Sequence, residues 1–550
     1  MTPTATGIAP VTENSTTGPA IEILGRLGDR YEDILTPEAI AFLTELHSRF
    51  AGRRHDRLAE RLRRRFEIGT GQDPQFPADT RHIRDDAEWR VAGAGPGLED
   101  RRVEITGPVS PKLAINALNS GAQVWLADLE DAMSPTWANV IEDQLTLASA
   151  IRGDLEYTSP EGKEYRISAE RTPTIVMRPR GWHLTEAHLQ YTDRTGRALA
   201  ASASLVDFGL YFFHNAPALI AAGRGPYFYL PKLESAEEAK LWDDVFTFSE
   251  QYLGLAHGTI RATVHIETLP AAFEMEEILF ALRDHCAGLN AGRWDYLFSI
   301  IKNYRGRGSR FVLPDRNEVT MAVPFMRAYT DLIVKTAHKR GAHAIGGMSA
   351  VIPNAGDPES TAVELEKVAA DKRQEAATGF DGTWVAHPGL IETARTEFDA
   401  VLGNRPNQLD RQRDDVEVTA AQLLDLRMGR PITARGVHDN VSVTIRYVEA
   451  WLRGSGVVSL GTLTEDASLA EISRSQIWQW IHQDRKTEDG TPITRDYVEG
   501  LITQVLGEVS RTEGDRFDDA AEVFREVALG EEFPAFLTLG AYNRHLVETD

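Results

Sequence analysis

The sequence predicts an α/β protein whose centre is a (β/α)8 TIM barrel, with helical regions before and after it. Short apolar segments rich in β-branched and aromatic residues recur between about residues 100 and 400. Amphipathic stretches separate several of them, and strands that alternate with helices form a parallel sheet. About eight such units over roughly 290 residues suit a barrel. A doubly wound sheet is the structural alternative, and no G-x-G-x-x-G or P-loop motif supports it.

The predicted strands are short runs of apolar residues, several of which end in polar residues. They cover residues 124–131, 174–181, 210–215, 227–234, 262–268, 294–301, 342–347 and 383–388. Each run is too short for a typical helix, which favours a strand.

The regions before and after the predicted barrel have sequence patterns typical of helices. Thr36-Pro37 is a helix start, with a Thr cap and Pro at the first helical position. The charged stretch 53–65 is predicted to be an exposed helical face. After about residue 405, amphipathic helices are predicted at 415–426, 441–454, 470–483 and 494–509. The predicted domains are a disordered extension (1–20), an N-terminal helical clasp (21–98), the barrel (99–400) and a C-terminal helical domain (401–550).

Composition excludes several classes of protein. The formal net charge is −23, which argues against nucleic acid as a partner, because a polyanion needs a basic surface. No apolar run approaches 18 residues, so no membrane span is predicted. The single cysteine, Cys286, rules out an intramolecular disulfide and fits a reducing cytoplasm. The sequence leaves a homo-oligomer open.

Charged residues recur where predicted strands end. They are Asp128, Glu130, Asp131, Arg178, Arg180, Lys232, Glu234, Glu267 and, after a Gly-rich turn, Asp295. The carboxyl ends of barrel strands build one shared site, so these side chains are expected to converge. A helix cap or a surface ion pair is the alternative for any one of them.

The predicted content of this site is a hard metal ion. Carboxylates without a Cys or His cluster favour Mg²⁺ or Mn²⁺ over Zn²⁺, and Glu267 and Asp295 are the candidate ligands. His285-Cys286 is interpreted as packing rather than as a nucleophile and its base. The arginines between 305 and 310 either grip phosphates or form a solvated loop.

Four segments resemble a known family. Residues 283–298, RDHCAGLNAGRWDYLF, are similar to the malate synthase signature over their whole length. RPRGWHL (178–184), LEDA (129–132) and TEDASLAEISRSQIWQW (464–480) resemble further segments of that family, in the same order. The resemblance runs from about residue 21 to the C-terminus, and the length resembles the shorter isoform A, or glyoxysomal-type, branch.

The resemblance implies an Mg²⁺-dependent enzyme that condenses acetyl-CoA with glyoxylate and hydrolyses the product to malate and CoA. It implies that Arg178 stabilises the enolate, with Arg180 as the alternative, and that Asp466 is the base. Glu267 and Asp295 would bind Mg²⁺. The remaining implied roles are substrate binding by Arg178, Gly292, Trp294 and Asp295, ordering of metal-bound water by Asp128, Glu130, Asp131 and Lys232, and CoA binding by Arg305 and Pro388. Acetyl-CoA would enter where the C-terminal domain meets the barrel.

Two other functions remain open from sequence alone. A malyl-CoA or citramalyl-CoA lyase of the same superfamily would share the LEDA-type segment and the metal carboxylates. Such lyases are shorter and lack a C-terminal domain bearing TED, which favours the synthase. A non-catalytic barrel would have lost Arg178, Glu267, Asp295 or Asp466, and all four are present.

Overall fold

The computed structural model describes residues 18–354 and 356–547. Most of the predicted disordered extension, residues 1–17, lies outside the described residues. Ala20 already begins a strand, Ala20–Ile23, which pairs antiparallel with Thr185–Thr192. The strand Thr185–Thr192 also pairs with Ala198–Ser202, so a small three-stranded sheet joins the N-terminal segment to the barrel.

Eight parallel strands close into a barrel, as the sequence predicts. Each strand pairs with the next along the chain, and the last pairs with the first. Their bounds are β1 Val103–Gly107, β2 Val124–Asp128, β3 Thr174–Arg178, β4 Tyr227–Leu230, β5 Arg261–Ile266, β6 Cys286–Ala291, β7 His343–Ser349 and β8 Gly382–Val385.

Two predicted strands are wrong, and two barrel strands were not predicted. Residues 210–215 lie inside the helix Ala203–Ala221, and residues 294–301 lie inside the helix Arg293–Tyr304. Both helices are buried on nearly all sides, and a short apolar run then shows no helical periodicity. β1 and β6 were missed. β6 contains four small residues beside Leu289 and Asn290, and at Gly288 a Cβ atom would lie 2.9 Å from the His343 carbonyl oxygen, so that position must stay small.

Helices surround the barrel on its outer face. Those of six residues or more up to Leu402 are Pro37–Thr70, Pro111–Leu118, Trp137–Arg152, Ala203–Ala221, Ala236–Tyr252, Met275–Ala281, Arg293–Tyr304, Pro324–Lys339, Pro358–Thr378 and Ile391–Leu402. The first begins as predicted, with the Thr36 hydroxyl accepting a hydrogen bond from the Ala39 N–H at 3.2 Å.

The prediction that residues 53–65 form an exposed face is wrong for two arginines. Arg54 and Arg61 are buried. Arg54 donates to the Trp182 and Leu184 carbonyl oxygens at 2.6 and 2.9 Å. Arg61 forms two 2.6 Å hydrogen bonds with the Glu238 carboxylate. The long N-terminal helix therefore clamps the loops that follow β3 and β4.

The C-terminal region is helical, with a second apolar core of its own. Its helices of eight residues or more are Ala434–Leu452, Ala467–His482, Arg495–Glu508, Phe517–Phe524 and Leu537–His545. Of the predicted 415–426 helix, only Ala420–Leu423 is helical. The Trp480 indole N–H donates to the Leu313 carbonyl at 2.9 Å, and the Ser134 hydroxyl donates to that of Trp451 at 2.6 Å. Such bonds hold this domain against the barrel.

Within residues 18–354 and 356–547, no helix combines the length and the apolar character that crossing a bilayer requires.

Candidate active site

Charged side chains converge at the carboxyl ends of the barrel strands. Asp128 ends β2 and Arg178 ends β3, and the two residues are partners in the register of those strands. Glu267 directly follows β5. Asp295 is the third residue of the helix Arg293–Tyr304, which follows β6, and so does not end a strand as predicted. The cluster of Asp128, Glu130, Asp131, Arg178, Lys232, Glu267 and Asp295 is buried.

A paired carboxylate holds Arg178 rigidly. Arg178 Nε donates to Asp128 Oδ1 at 2.7 Å, and Nη2 donates to Oδ2 at 2.5 Å. Nη2 also lies 3.2 Å from Asp131 Oδ2. Burial opposes the charged form, yet Asp128 and Asp131 outweigh it and raise the pKa of Arg178 well above its usual value. The guanidinium is therefore a fixed positive charge.

Arg180, two positions after Arg178, binds a different pair of carboxylates. It forms hydrogen bonds with Asp207 at 2.8 and 2.9 Å and with Glu186 at 2.9 Å. It does not line the main cavity described below. Of the two arginines in RPRGWHL, Arg178 is therefore the one that faces the cavity.

Lys232 lies among four carboxylates. Its Nζ is 2.8 Å from Asp131 Oδ1 and 3.3 Å from both Glu130 Oε1 and Asp295 Oδ2. Its backbone N–H donates to Glu267 Oε1 at 2.6 Å. Lys232 is also one of the few non-glycine residues with positive φ, at 52°. The loop after β4 thus delivers both a cation and an amide to the same cluster.

Three of these carboxylates can hold a metal ion. One oxygen from each of Asp131, Glu267 and Asp295 lies within 4.8 Å of the others. Glu267 Oε2 and Asp295 Oδ1 are buried and have no hydrogen-bond partner among the described residues. A buried unpartnered carboxylate oxygen is costly, and a divalent cation would satisfy both.

The electrostatics of these carboxylates favour a cation among them. Burial, together with Asp131 and Glu267, raises the pKa of Asp295 well above its usual value, although Lys232 opposes this. Burial also acts on Glu267, but His265 and Lys232 outweigh it and lower the pKa of that carboxyl group. The donor set is all oxygen, which suits a hard divalent metal.

A glycine lets the helix Arg293–Tyr304 approach the site closely. A Cβ atom on Gly292 would lie 2.2 Å from His265 Nε2 and 2.8 Å from Glu267 Cβ. The Gly292 N–H donates to the Tyr329 hydroxyl at 2.8 Å. The first turn of the helix, with Trp294 and Asp295, therefore faces the carboxylates, and its N-terminal dipole favours an anion there.

Asp466 reaches this site from the C-terminal domain. It caps the helix Ala467–His482, and its Oδ1 accepts hydrogen bonds from the Ser468 N–H at 3.0 Å and hydroxyl at 2.6 Å. The Ala467 N–H donates to the Asp131 carbonyl at 3.2 Å, which ties the cap to the barrel. Burial and the neighbouring Asp131 raise the pKa of Asp466 to about 7, with Ser468 and Arg178 opposing.

One cavity of about 310 Å³ connects these groups. Its wall includes Asp131, Arg178, Gly292, Trp294, Asp295 and Asp466. Arg305 and Pro388 are not part of that wall. Arg305 follows the far end of the helix Arg293–Tyr304, and Pro388 begins the turn after β8. Their contact with CoA stays a prediction.

His265 was not predicted from the sequence, and Asp131 was predicted only to order metal-bound water. His265 lines the cavity, and its Nδ1 lies 2.7 Å from Glu267 Oε2. Side chains two apart on a strand point to the same side, so its position two before Glu267 was the available signal. Asp131 lies close enough to Glu267 and Asp295 for one metal ion to contact all three carboxylates.

Comparisons with known proteins cover nearly the whole chain. Family models for the malate synthase N-terminal domain, TIM-barrel domain and C-terminal domain match residues 20–82, 174–426 and 431–545. A malate synthase from Streptomyces clavuligerus is 55% identical over 526 residues, which is 94% of this chain and 96% of that protein. Malate synthase A from Escherichia coli K12 is 46% identical over 540 residues, 97% of this chain and 99% of that protein.

A solved structure, the Haloferax volcanii malate synthase magnesium/glyoxylate complex, aligns with a TM-score of 0.43 and 17% identity, covering 75% of this chain and 99% of that one. The full-length matches support neither a CoA-ester lyase nor a non-catalytic barrel. The chain belongs to the malate synthase family and is an enzyme with malate synthase activity.

Proposed function

We propose that the reaction takes place in the 310 Å³ cavity, where the barrel (99–400) meets the C-terminal domain (401–550). The supporting observation is that Arg178 and Asp466 come from different domains and line one cavity, beside the carboxylates of Asp131, Glu267 and Asp295. An acid-base group, a fixed cation and a metal site then line the space in which the two substrates would meet.

Glu267 and Asp295 are the proposed Mg²⁺ ligands, and Asp131 completes the set directly or through water. When bound, Mg²⁺ polarises the aldehyde of glyoxylate as a Lewis acid. Asp128 fixes Arg178 through two hydrogen bonds. Lys232 contacts Glu130 and the carboxylates of Asp131 and Asp295, and Glu130 and Lys232 order the surrounding water.

Glyoxylate is proposed to bind at the start of the helix Arg293–Tyr304. The first N–H groups of a helix have no intrahelical partner, so those near Trp294 and Asp295 can receive its carboxylate. Gly292 allows this approach because a side chain there would collide with His265. Arg178, at the end of β3, supplies a cationic contact to the same carboxylate.

Asp466 is the proposed general base. It removes a methyl proton of acetyl-CoA, and Arg178 stabilises the resulting enolate oxygen. A pKa near 7 lets a buried carboxylate be ionised at neutral pH and still hold the proton it takes. The enolate carbon then bonds to the aldehyde carbon, and the new alkoxide takes up a proton. Water cleaves the thioester of the malyl-CoA formed, which releases malate and the CoA thiol.

One assay tests this proposal. CoA thiol should appear only when acetyl-CoA, glyoxylate and Mg²⁺ are all present. Equal release without glyoxylate would show a thioesterase instead. The protein's own thiol does not interfere, because Cys286 is buried and burial raises its pKa to about 12.

A further inference from the structure

His265 lies between two parts of the site without having a part in the reaction described above. Its Nδ1 is 2.7 Å from Glu267 Oε2 and 3.4 Å from Arg178 Nη1. The side chain is 7% exposed and lines the cavity. One ring edge therefore contacts both the proposed metal ligand and the group that stabilises the enolate.

The chemistry of these contacts fixes the proton on the ring. Two lone pairs cannot face each other at 2.7 Å, so we place the hydrogen of the ring on Nδ1, beside the carboxylate. Arg178 has only donors, so with this tautomer its contact at 3.4 Å is not a hydrogen bond to Nδ1. The N–H lies beside Oε2 without making an aligned hydrogen bond, since that oxygen has no such partner in residues 18–354 and 356–547. Oε2 is thus oriented by the ring and keeps a lone pair for a metal ion.

The ring itself has little freedom to move. Its centre lies 5.0 Å from that of Trp384. On the other edge, Nε2 lies so close to Gly292 that a Cβ atom there would be 2.2 Å away. A ring packed from both sides can act as a rigid support for the groups it contacts.

We propose that His265 is a positioning residue for the metal site, whose Nδ1 edge holds the Glu267 carboxylate in its metal-binding orientation next to Arg178. This inference rests on the proposed function, because it takes Glu267 as a metal ligand. Residues that orient ligand side chains typically change metal affinity by about 10- to 100-fold when removed.

Three substitutions of His265 distinguish the contribution of Nδ1 from that of Nε2. His265→Asn places an amide N–H near the position of Nδ1, His265→Gln places it near that of Nε2, and His265→Leu has neither. The probe is Mn²⁺, titrated into the full chain and followed by electron paramagnetic resonance, without substrates. His265→Asn should bind Mn²⁺ within about threefold of the parent protein, whereas the Gln and Leu variants should bind at least about tenfold more weakly.

Two controls accompany the test. His343 is a buried barrel histidine outside the cavity, whose ring nitrogens make no hydrogen bond to the described residues. His343→Leu should keep the parent Mn²⁺ affinity, which measures any general cost of losing a buried imidazole. Glu267→Gln should lose most Mn²⁺ binding. Near-ultraviolet circular dichroism verifies the fold of each variant.

The outcomes are distinct. Parent-like Mn²⁺ binding by His265→Leu, or equal losses in the folded Asn and Leu variants, overturns the positioning role while the metal site stands. Parent-like binding by Glu267→Gln overturns the metal assignment itself, and the role of His265 with it. A loss in Gln and Leu that Asn rescues supports the proposal, because a merely structural role would not depend on which ring edge carries the N–H.

Discussion

Replacement of Asp466 by Asn tests the assignment of the base with little change in shape. Asp466 Oδ1 accepts both hydrogen bonds from Ser468, and Oδ2 makes none within the described part of the chain. Asn keeps an acceptor oxygen for Ser468 and is as good a helix cap as Asp. It replaces only the free oxygen, the one that could take a proton, with an amide.

The expected loss is therefore almost entirely chemical. Removing a general base typically costs on the order of 10²–10⁴ in rate, or about 2.7–5.4 kcal/mol in the barrier. Stability should not fall, because a buried carboxylate whose pKa is raised to about 7 is destabilised when it ionises. Between the unfolded pKa and 7 the parent protein loses stability as pH rises, and the Asn variant does not. Asp466→Ala also loses the cap and should cost a further 0.5–2 kcal/mol, approximately.

The assay follows exchange of the acetyl-CoA methyl protons with deuterium from solvent, with pyruvate in place of glyoxylate. Exchange should be abolished in Asp466→Asn, whereas Mn²⁺ binding should be nearly unchanged. In the parent protein, kcat/KM for acetyl-CoA should fall with decreasing pH as Asp466 becomes protonated. The midpoint should lie at or below about 7, because a bound cation favours the ionised form. Retention of more than about a tenth of turnover in Asp466→Asn means that another residue is the base.

Four further substitutions test the rest of the site. Glu267→Gln and Asp295→Asn remove charge from the two proposed ligands, so each should weaken Mg²⁺ binding at least about tenfold in calorimetry, with a folded protein; unchanged metal dependence in both would move the site elsewhere. Arg178→Lys keeps the charge but cannot form both hydrogen bonds with one carboxylate, so glyoxylate affinity and kcat should fall together in steady-state kinetics. Gly292→Ala places a Cβ atom 2.2 Å from His265 Nε2, so the KM for glyoxylate should rise as the helix moves away; a parent-like KM would show that the close approach is not needed for binding.

The barrel was predictable because strands and helices alternate, but individual elements were not always so. Residues 210–215 are as apolar as a buried strand, and only their contacts on all sides explain the helix. β6 is weakly apolar, because most of its residues are small, and only the close approach of His343 on the neighbouring strand explains Gly288. Local patterns cannot show what packs against a segment.

The site could be predicted up to the point where distant segments meet. Residues at strand ends converge in any barrel, so the cluster around Glu267 followed from the fold class. Asp466 was assigned by resemblance alone, since nothing local shows that its helix begins beside Asp131. Arg61 shows the same limit, because its charge suggests solvent while its partner, Glu238, is 177 positions away.

The division into two apolar cores has a consequence for heat inactivation. Asp466 caps a helix that contributes Ala467, Ala470 and Ile477 to the C-terminal core and Ile472 and Trp478 to the main core, whereas the metal carboxylates lie on the barrel. The position of the base therefore depends in part on packing that the metal carboxylates do not share, and the two cores can loosen at different temperatures. Catalysis would stop at the lower of the two, while the metal site and most of the secondary structure persist.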